Sequence, residues 1–468
     1  MRLFALVIAM IAWAWASACA QTPADRSPAG SDWPGFLGPT ADSKTSERGI
    51  LTRWPKEGPP LVWQLELGSG YCMPAIADGR LYQFDRVEGS ARLRALDPRT
   101  AKLLWTFAYP SEFQDLYGYD NGPRSSPVVS DGRVYIFGAE GMLHCLDAAT
   151  GKLFWKIDTA AEFGVIQNFF GVGSTPVVEG DLLIVQIGGS PPESKRIPPG
   201  RLNLVEGNGS GIVAFDKITG AVRYKITDEL ASYATPKLAT IAGRRWCFVL
   251  ARGGLVGFEP ATGKVEFQFP WRAGVLESVN ASDPVVKNDL VFIAETYGPG
   301  SALLRVRPGN ADVVWSDAEK RRDKSMQTHW NTAIEIDGYL YASSGRHTEN
   351  AELRCVELAT GNVMWSEPGL TRASLLYVDG HFVCLSEDGA LRLLKANAQK
   401  YEPVAEVILR GAAGAAGNDA FDFGPPRLLK YPAWAAPILS HGLLYVRGAD
   451  RLVCLELIPG NKPPESSQ

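Results

Sequence analysis

The sequence lacks the short motifs that mark several common classes of functional site. Its seven cysteines are dispersed and form no C-x-x-C pair, which argues against zinc ribbons, thioredoxin-type redox centres and c-type haem attachment. Neither G-x-S-x-G nor H-E-x-x-H occurs, so no motif supports a hydrolase or lyase mechanism. The functional class therefore has to come from the organisation of the chain.

Charge of one sign and long apolar runs are also missing. The chain has 47 basic and 51 acidic residues, a formal net charge of −4, and no long basic run, which argues against a nucleic-acid partner. Beyond the first 20 residues, no uncharged apolar stretch approaches the length of about 18 residues that a transmembrane helix needs. We expect no membrane span.

The first residues predict an export leader. Arg2 precedes an apolar run that ends in small residues, the pattern of a signal peptide over residues 1–20. Cys19 lies both in an A-x-A cleavage site and in a segment similar to a lipoprotein box, which would acylate it. The mature chain is therefore predicted to be periplasmic or otherwise exported, and either soluble or tethered by lipid.

Chain breakers and tryptophan are abundant. Glycine and proline number 48 and 32, and there are 13 tryptophans. Helix interiors tolerate glycine and proline poorly, so this composition favours short strands joined by many turns.

An internal repeat sets the architecture. An apolar strand, an acidic residue, a tight turn and a strand ending in an aromatic recur as LRALDPRTAKLLW, LHCLDAATGKLFW, IVAFDKITGAVRY, LVGFEPATGKVEF and LRCVELATGNVMW, with more degenerate copies. The anchor column, including the altered copies, is Asp97, Asp147, Asp216, Glu259, Arg307, Glu357, Lys395 and Glu456. A repeat of this length is typical of a propeller or another repeat array.

Hairpin signals complete each repeat. Asp-Gly between alternating apolar runs, as in PVVSDGRVYIF, predicts a two-residue hairpin before each anchor strand. Each repeat then holds four antiparallel strands, A to D, and the chain is predicted to be an all-β, eight-bladed β-propeller over residues 59–458. A β-sandwich array is the rival, disfavoured by the regular repeat.

The ends of the chain complete this domain scheme. The last copy lacks strand D, and a spare strand at Leu61–Leu67 precedes the first copy, so the N-terminal strand is expected to close the ring. Residues 21–58 are predicted to be an extended segment and residues 459–468 a disordered tail. A closed ring needs no partner subunit to protect a sheet edge, and we expect a monomer.

Two of the repeated columns are read as structural. The aromatic column of strand D marks blade packing, and the acidic column is turn chemistry rather than a set of catalytic carboxylates. Cys145, Cys355 and Cys454 lie in similar strand contexts and are read as small buried apolar residues.

One face of the propeller is the predicted binding face. The A–B and C–D turns are short and uniform, whereas the B–C and D–A loops on the opposite face are long, and binding sites favour long loops on a rigid scaffold. The first residues of the innermost strands are expected to point into the channel mouth. These candidates are Tyr71, Arg124, Asn168, Asn280, Asp283, His329, Trp330, Asn331, Arg372 and Trp434.

The candidates allow two interpretations. Arginine, amide and aromatic side chains could bind a polar, planar or sugar-like molecule, or their polar groups could satisfy each other in a water-filled channel. Arg124 could hold a carboxylate or phosphate, or tie loop carbonyls together. His329 could act as a base or ligand, or be hydrogen-bonded structure, and Arg346 and His347 could reach the same face.

The repeats resemble the pyrroloquinoline-quinone-type (PQQ-type) β-propeller repeat, found in quinoprotein dehydrogenases and in the non-catalytic outer-membrane assembly lipoprotein. The segments DWPGFLGP (residues 32–39), GPRSSPVV (residues 122–129) and VDGHFVCLSEDGALRLL are more similar to exported propellers of planctomycete-like bacteria whose function is unassigned. The resemblance implies the fold but is weak on function.

Two functions follow from the resemblance. The first is an exported, non-catalytic propeller that binds a protein partner or a polar small molecule or carbohydrate; the role of the assembly lipoprotein is one form of it. The alternative is a dehydrogenase that uses PQQ and calcium to oxidise an alcohol or sugar, for which Arg124, Asp283 and His329 would carry the chemistry. This sequence has neither the adjacent cysteine pair typical of those enzymes nor a recognisable calcium set, although the soluble glucose-type quinoproteins dispense with the pair.

Overall fold

The computed structural model describes residues 30–411 and 425–460. In this part of the chain, 32 strands form eight four-stranded antiparallel sheets. The predicted all-β, eight-bladed propeller is confirmed. The leader, Cys19, and residues 461–468 of the predicted tail lie outside the described residues.

Seven blades are built from four consecutive strands, and the eighth from the two ends of the propeller. Blade 1 comprises β2 (Ala75–Ala77), β3 (Arg80–Val87), β4 (Ser90–Leu96) and β5 (Leu103–Pro110), and blade 2 comprises β6 (Val128–Ser130), β7 (Arg133–Phe137), β8 (Met142–Asp147) and β9 (Leu153–Asp158). Blade 3 comprises β10 (Val177–Glu179), β11 (Leu182–Gln186), β12 (Ile212–Asp216) and β13 (Val222–Ile226), and blade 4 comprises β14 (Lys237–Ile241), β15 (Arg244–Leu250), β16 (Gly254–Phe258) and β17 (Val265–Pro270). Blade 5 comprises β18 (Val285–Lys287), β19 (Leu290–Ala294), β20 (Ser301–Arg307) and β21 (Asn310–Ser316), and blade 6 comprises β22 (Ile334–Ile336), β23 (Tyr339–Ser344), β24 (Glu352–Glu357) and β25 (Val363–Pro368). Blade 7 comprises β26 (Ala373–Val378), β27 (His381–Ser386), β28 (Ala390–Lys395) and β29 (Pro403–Ile408), and blade 8 comprises β30 (Ile438–Ser440), β31 (Leu443–Arg447), β32 (Arg451–Glu456) and β1 (Leu61–Glu66).

Helical structure is confined to short pieces of the loops. The described helices are one α-helix, α1 (Thr159–Phe163), and 3₁₀ turns at Pro192–Arg196, Leu202–Leu204 and Thr348–Asn350. Within the described ranges, no helix is long and apolar enough to cross a membrane.

The turns within a blade follow the sequence pattern. In blade 6, Asp337 and Gly338 both have positive φ, 51° and 89°, as a two-residue type I′ hairpin requires. In blade 2, the Asp147 carboxylate accepts hydrogen bonds from the backbone N–H and the hydroxyl of Thr150, both at 2.8 Å. The acidic column therefore shapes the C–D turn, as predicted.

The tryptophan column joins neighbouring blades. The indole N–H of Trp315 in blade 5 donates to the carbonyl of Leu358 in blade 6 at 2.9 Å, and Trp365 in blade 6 donates to Asn397 in blade 7 at 2.8 Å. Each acceptor lies in the C–D connection of the next blade, one or two residues beyond the anchor column. We call this repeated contact the inter-blade clamp.

The same clamp closes the ring. Strand β1 pairs with β32, so that Leu61 lies opposite Leu455. Trp63 in β1 then donates its indole N–H to the carbonyl of Pro98 in blade 1 at 3.0 Å. The predicted closure by the N-terminal strand is confirmed.

The core lies between successive sheets. Apolar clusters join each blade to the next, and the largest one packs Trp33, Trp63 and residues of blades 7 and 8 together. The described cysteines, Cys72, Cys145, Cys247, Cys355, Cys384 and Cys454, are all buried and free, consistent with their interpretation as small apolar residues.

Residues 30–47 form what we call the N-terminal plug. Trp33 is 1% exposed and pairs with Ile76 of blade 1 through two backbone hydrogen bonds of 2.7 and 2.8 Å. In blade 7, on the other side of blade 8, the backbone of Tyr377 bonds both Ser43 and Thr45. The plug thus contacts the two blades that flank blade 8.

Polar anchors fix the plug to the A–B turns. The buried carboxylate of Glu47 accepts hydrogen bonds from the backbone N–H groups of His441 and Gly442 in the A–B turn of blade 8, at 2.9 and 2.6 Å. A further anchor lies on an inner strand: in blade 4, across the ring from blade 8, the ammonium of Lys237 donates to the carbonyl of Thr40 at 2.9 Å. The plug therefore covers the channel from the face that carries the short turns.

Candidate functional site

A cleft opens on the face that carries the long loops. Its volume is about 480 Å³, and the D–A and B–C loops of several blades supply its walls. We call it the aromatic cleft, after the ring side chains that line it: Tyr71, Tyr117, Tyr119, Phe169, Phe170, Tyr233, Tyr297, Trp330, Tyr431 and Trp434.

The N-terminal plug forms the floor of this cleft. Phe36, Leu37 and Ser43 of the plug line the cavity, while other plug residues bind the turns of the opposite face. The cleft is therefore a closed-ended pocket of the size range of small-molecule sites, about 300–1,000 Å³, rather than one mouth of an open channel.

The aromatic wall is continuous. The ring of Trp434 lies 4.9 Å from that of Tyr71 and 5.0 Å from that of Trp330, measured between centroids. Across the cleft, Tyr119 and Phe170 are 5.9 Å apart, and Tyr119 is 6.3 Å from Trp434. These tilted and T-shaped ring pairs support one another and hold the wall in place.

Arg372 is held on one side of the wall. Its guanidinium carbon lies 4.3 Å from the ring centroid of Trp330, and its Nη2 donates to the Glu387 carboxylate at 2.6 Å. The indole of Trp434 donates to the same carboxylate at 2.8 Å. Burial raises the pKa of Glu387, but these hydrogen bonds outweigh it and leave the pKa below its usual range.

His329 lies between two neighbours. Its Nε2 is 3.0 Å from the Tyr297 hydroxyl, and its Nδ1 is 3.4 Å from Nη1 of Arg372. Burial, helped by the positive charges of Arg372 and Arg346, lowers the pKa of His329 to about 3. The imidazole is therefore neutral at physiological pH.

Arg124 is tied into its own loop. Its Nη2 bonds the Asp115 carboxylate and the carbonyl of Asp120, and its Nη1 donates to the carbonyl of Gly122 at 3.1 Å. The guanidinium carbon also lies 5.5 Å from the Tyr71 ring. Arg124 therefore shapes the cleft wall through its loop, and its charge is neutralised by Asp115.

The structure brings seven of the ten predicted residues to the cleft. They are Tyr71, Arg124, His329, Trp330, Asn331, Arg372 and Trp434. Asn331 is buried and donates to the carbonyl of Ser343 at 2.9 Å, so its amide also braces a loop.

The other three do not line the aromatic cleft. Asn168 lines a separate cavity beneath the loops of blades 1 to 3 and donates to the carbonyl of Ala231 at 3.1 Å. Asn280 donates to the carbonyls of Ala251 and Trp271 at 2.7 and 3.1 Å. Asp283 is buried and accepts from the backbone N–H of Thr235 at 2.7 Å. All three tie neighbouring segments together.

Several lining residues were missed by the sequence analysis. Tyr119 and Phe170 lie in long D–A loops, where their aromatic side chains are a signal in the sequence for a binding surface. Tyr297 follows the second strand of blade 5, a position that only the fold identifies. The plug residues include the segment DWPGFLGP, whose apolar side chains are the signal that this segment packs against the propeller.

Acidic groups near the cleft are dispersed or already paired. Among residues 30–411 and 425–460, no three His, Cys, Asp or Glu side chains converge as a metal site would require. Glu387 is held by Arg372, and Asp115 by Arg124.

The repeats of this chain match a known protein family. A family profile described as outer membrane protein assembly factor BamB matches residues 89–367. The crystal structure of BamB from Moraxella catarrhalis superposes with a TM-score of 0.54 at 14% identity, covering 86% of this chain and 99% of that one. The predicted resemblance to this repeat family is confirmed.

Curated relatives match over a shorter stretch. The dehydrogenase subunit of alcohol dehydrogenase (quinone) from Gluconacetobacter polyoxogenes is 30% identical over 132 residues, 26% of this chain and 17% of that protein. The serine/threonine-protein kinase AfsK from Streptomyces griseus is 30% identical over 106 residues, 23% of this chain and 12% of the kinase. The chain thus matches less than a fifth of each relative, and repeats of this type occur in proteins with different activities.

Proposed function

We propose that this chain, which belongs to the family described as outer membrane protein assembly factor BamB, is an exported, non-catalytic β-propeller. Its aromatic cleft binds a polar small molecule, and a carbohydrate fits the cleft best. The observation that carries this proposal is the continuous aromatic wall above a closed floor. Sugars present apolar ring faces and many hydroxyl groups, which suits a pocket of aromatic rings with a few polar groups.

The electrostatics support a binding role. A general base works best with a pKa near the operating pH, and the pKa of His329, lowered to about 3 by burial and neighbouring arginines, is far from it. Arg372 and Glu387 are locked to each other. His329, Arg372 and Glu387 are therefore better suited to holding the aromatic wall in one geometry than to proton transfer.

A protein partner is the second occupant of the same face. The family description names an assembly factor of the outer membrane, and this favours a protein ligand on the long loops. A chain segment presenting an aromatic or sugar-like group could use the same wall, since aromatic residues dominate binding energy at protein interfaces.

The alternative is a PQQ- and calcium-dependent dehydrogenase, favoured by the match to the alcohol dehydrogenase subunit. Calcium takes six to eight oxygen ligands. The carboxylate of Glu387, bonded to the lining residues Arg372 and Trp434, is committed to them. The carboxylates that line the cleft, Glu277 and Glu349, are exposed. The described residues do not fit a calcium ion, and we derive no step through this cofactor pair.

The test uses calorimetric titration with a panel of neutral and acidic oligosaccharides. Trp434→Ala removes the centre of the aromatic wall and is expected to weaken binding by about five- to twelvefold, since stacking on one ring is worth roughly 1–1.5 kcal/mol. Phe154→Ala, an exposed ring on the outer strand β9, is the matched control and should leave binding unchanged.

Three outcomes would count against the proposal. Equal losses of oligosaccharide affinity in Trp434→Ala and Phe154→Ala would show that the aromatic cleft is not the binding site. Co-purification with outer-membrane assembly proteins, abolished by Trp434→Ala and without any sugar binding, would favour the protein partner. A thermal shift with PQQ and calcium, together with dye reduction by alcohols or sugars, would favour the dehydrogenase.

Export is tested separately. The leader pattern of residues 1–20 supports it, and cell fractionation with labelling of lipid at Cys19 would distinguish a soluble from a tethered form. A full-length chain retained in the cytoplasm would contradict this part of the proposal.

A further inference from the structure

Among the described arginines that line the cleft, Arg346 is the one without a carboxylate partner. It is exposed on the B–C loop of blade 6, lines the cleft, and its guanidinium carbon lies 4.5 Å from the ring centroid of Tyr297. By contrast, Arg124 and Arg372 are paired with Asp115 and Glu387. Within the described residues, no hydrogen bond or ion pair uses the guanidinium donors of Arg346.

The hydroxyl group of the neighbouring Tyr297 is also available as a hydrogen-bond donor. A guanidinium only donates, so Nδ1 of His329, 3.4 Å from Nη1 of Arg372, must act as the acceptor. The neutral ring then carries its proton on Nε2, which donates to the Tyr297 oxygen at 3.0 Å. The hydroxyl proton of Tyr297 is therefore left free.

The protonation states hold this arrangement at neutral pH. Burial lowers the pKa of His329 to about 3, so the ring stays neutral, and burial raises the pKa of Tyr297 to about 12, so the phenol keeps its proton. Arg372 also donates to the backbone carbonyl of Arg346 at 3.2 Å, which fixes the loop that presents this guanidinium.

We propose, on the basis of the carbohydrate-binding function above, that the aromatic cleft selects acidic sugars, with Tyr297 and Arg346 as the residues that receive the sugar carboxylate. The phenol O–H and the guanidinium N–H groups are both donors, and a carboxylate is acceptor-only. The sugar ring would stack on the aromatic wall while its carboxylate lies at the junction of blades 5 and 6.

The nearby negative charges are compatible with this. The Glu295 carboxylate accepts from the backbone N–H groups of Tyr297 and Gly298 at 2.8 and 2.7 Å, so it is engaged in shaping the loop. Glu277 and Glu349 are exposed at the rim, where solvent and salt screen their repulsion.

The experiment pairs each acidic sugar with a neutral form of the same size. A galacturonate trisaccharide is titrated against its methyl ester, and sialyl-lactose against the methyl ester of its own carboxylate. The wild-type protein is expected to bind the acidic member about tenfold or more tightly, the value of one charge-assisted hydrogen bond. Raising the salt concentration should reduce this preference.

Variants locate the carboxylate. Arg346→Gln and Tyr297→Phe should each move the acidic-to-neutral affinity ratio toward one. Arg321→Gln, an exposed arginine outside the cleft lining, should keep the wild-type ratio. Thermal melting curves check that each variant is folded, and Tyr297→Phe removes only an oxygen atom.

The outcomes separate the two proposals. If neutral and acidic sugars bind the wild-type protein equally, the selection of acidic sugars is wrong and the carbohydrate function stands. If acidic sugars are preferred but Arg346→Gln keeps the ratio, the assigned residues are wrong. If no sugar binds, the proposed function is wrong and the inference fails with it.

Discussion

At the scale of single residues, the turn glycines of the C–D connections have two roles. Gly361 has φ of 75°, and a Cβ at this position would lie 2.9 Å from the ring of Trp315 in the preceding blade. The turn needs a left-handed residue, and the inter-blade clamp needs a residue without a side chain. The sequence pattern T-G therefore encodes both the turn and the contact between blades.

This dual role can be separated by two substitutions in blade 6. Gly338→Ala places a Cβ where nothing lies within 4 Å, at a φ of 89°, and should cost only the left-handed strain of about 1–2 kcal/mol. Gly361→Ala adds overpacking against Trp315 and should cost about 1–3 kcal/mol more. Urea denaturation measures both, and equal losses would show that the clamp tolerates a methyl group.

Asp283 predicts a pH dependence of stability. Burial raises its pKa to about 7, although the Thr235 N–H and the Lys237 ammonium act in the opposite direction. The unfolded value is about 3.9, so the folded state binds the proton more tightly, and this contribution to stability falls as the pH rises from about 4 to about 7.

Asp283→Asn should remove that dependence. The amide oxygen can still accept from Thr235, and no charge is buried above pH 7, so the variant is expected to be more stable than the wild type at pH 8, by about 1 kcal/mol or more. Melting temperatures between pH 4 and pH 8 measure this. Asp181→Asn, an exposed position, is the control, and parallel curves for all three proteins would contradict the assignment.

At the scale of elements, the N-terminal plug is the part that sequence patterns described least well. Residues 30–47 have no hairpin signal and no repeat, and the sequence predicts only an extended segment over residues 21–58. Their structure depends on contacts distant in the sequence, such as Ser31 with Ser440 and Lys44 with Tyr377. Periodicity cannot reveal such contacts, although the apolar residues Trp33 and Phe36 show that the segment has something to bury.

Glu47 is the test of the plug as an element. Its carboxylate accepts from three backbone N–H groups, those of Ser31, His441 and Gly442, and an amide offers only one acceptor oxygen. Glu47→Gln should cost about 1–3 kcal/mol and increase proteolytic cleavage of the plug, detected by mass spectrometry. Glu57→Gln, an exposed position, should do neither; cleavage confined to other loops in both variants would contradict the anchoring role.

At the scale of the whole molecule, repetition explains why the fold was predictable and the site was not. The turns and the aromatic column recur in several blades, so a repeat with a degenerate sequence can still be recognised by comparison with the clearer copies. The cleft is built from loops that differ in every blade, and residues such as Tyr119 and Tyr297 occur once. The seven predicted residues that line the cleft lie in D–A loops just before an inner strand, a position that the repeat itself defines. Asn168, Asn280 and Asp283 also precede inner strands but do not line the cleft, so this position alone does not identify the site.

The closed ring gives the last prediction. Trp63 at the closure between blades 8 and 1 and Trp315 between blades 5 and 6 make the same clamp, with indole hydrogen bonds of 3.0 and 2.9 Å. If closure by β1 is as strong as an ordinary blade interface, Trp63→Ala and Trp315→Ala should lose similar stability, about 3–5 kcal/mol each, in urea denaturation. Hydrogen exchange should accelerate around blades 8 and 1 in the first variant and around blades 5 and 6 in the second. A much smaller loss in Trp63→Ala, with exchange limited to β1, would mean that this strand only covers the edge of an open array and that the ring is not held by its closure.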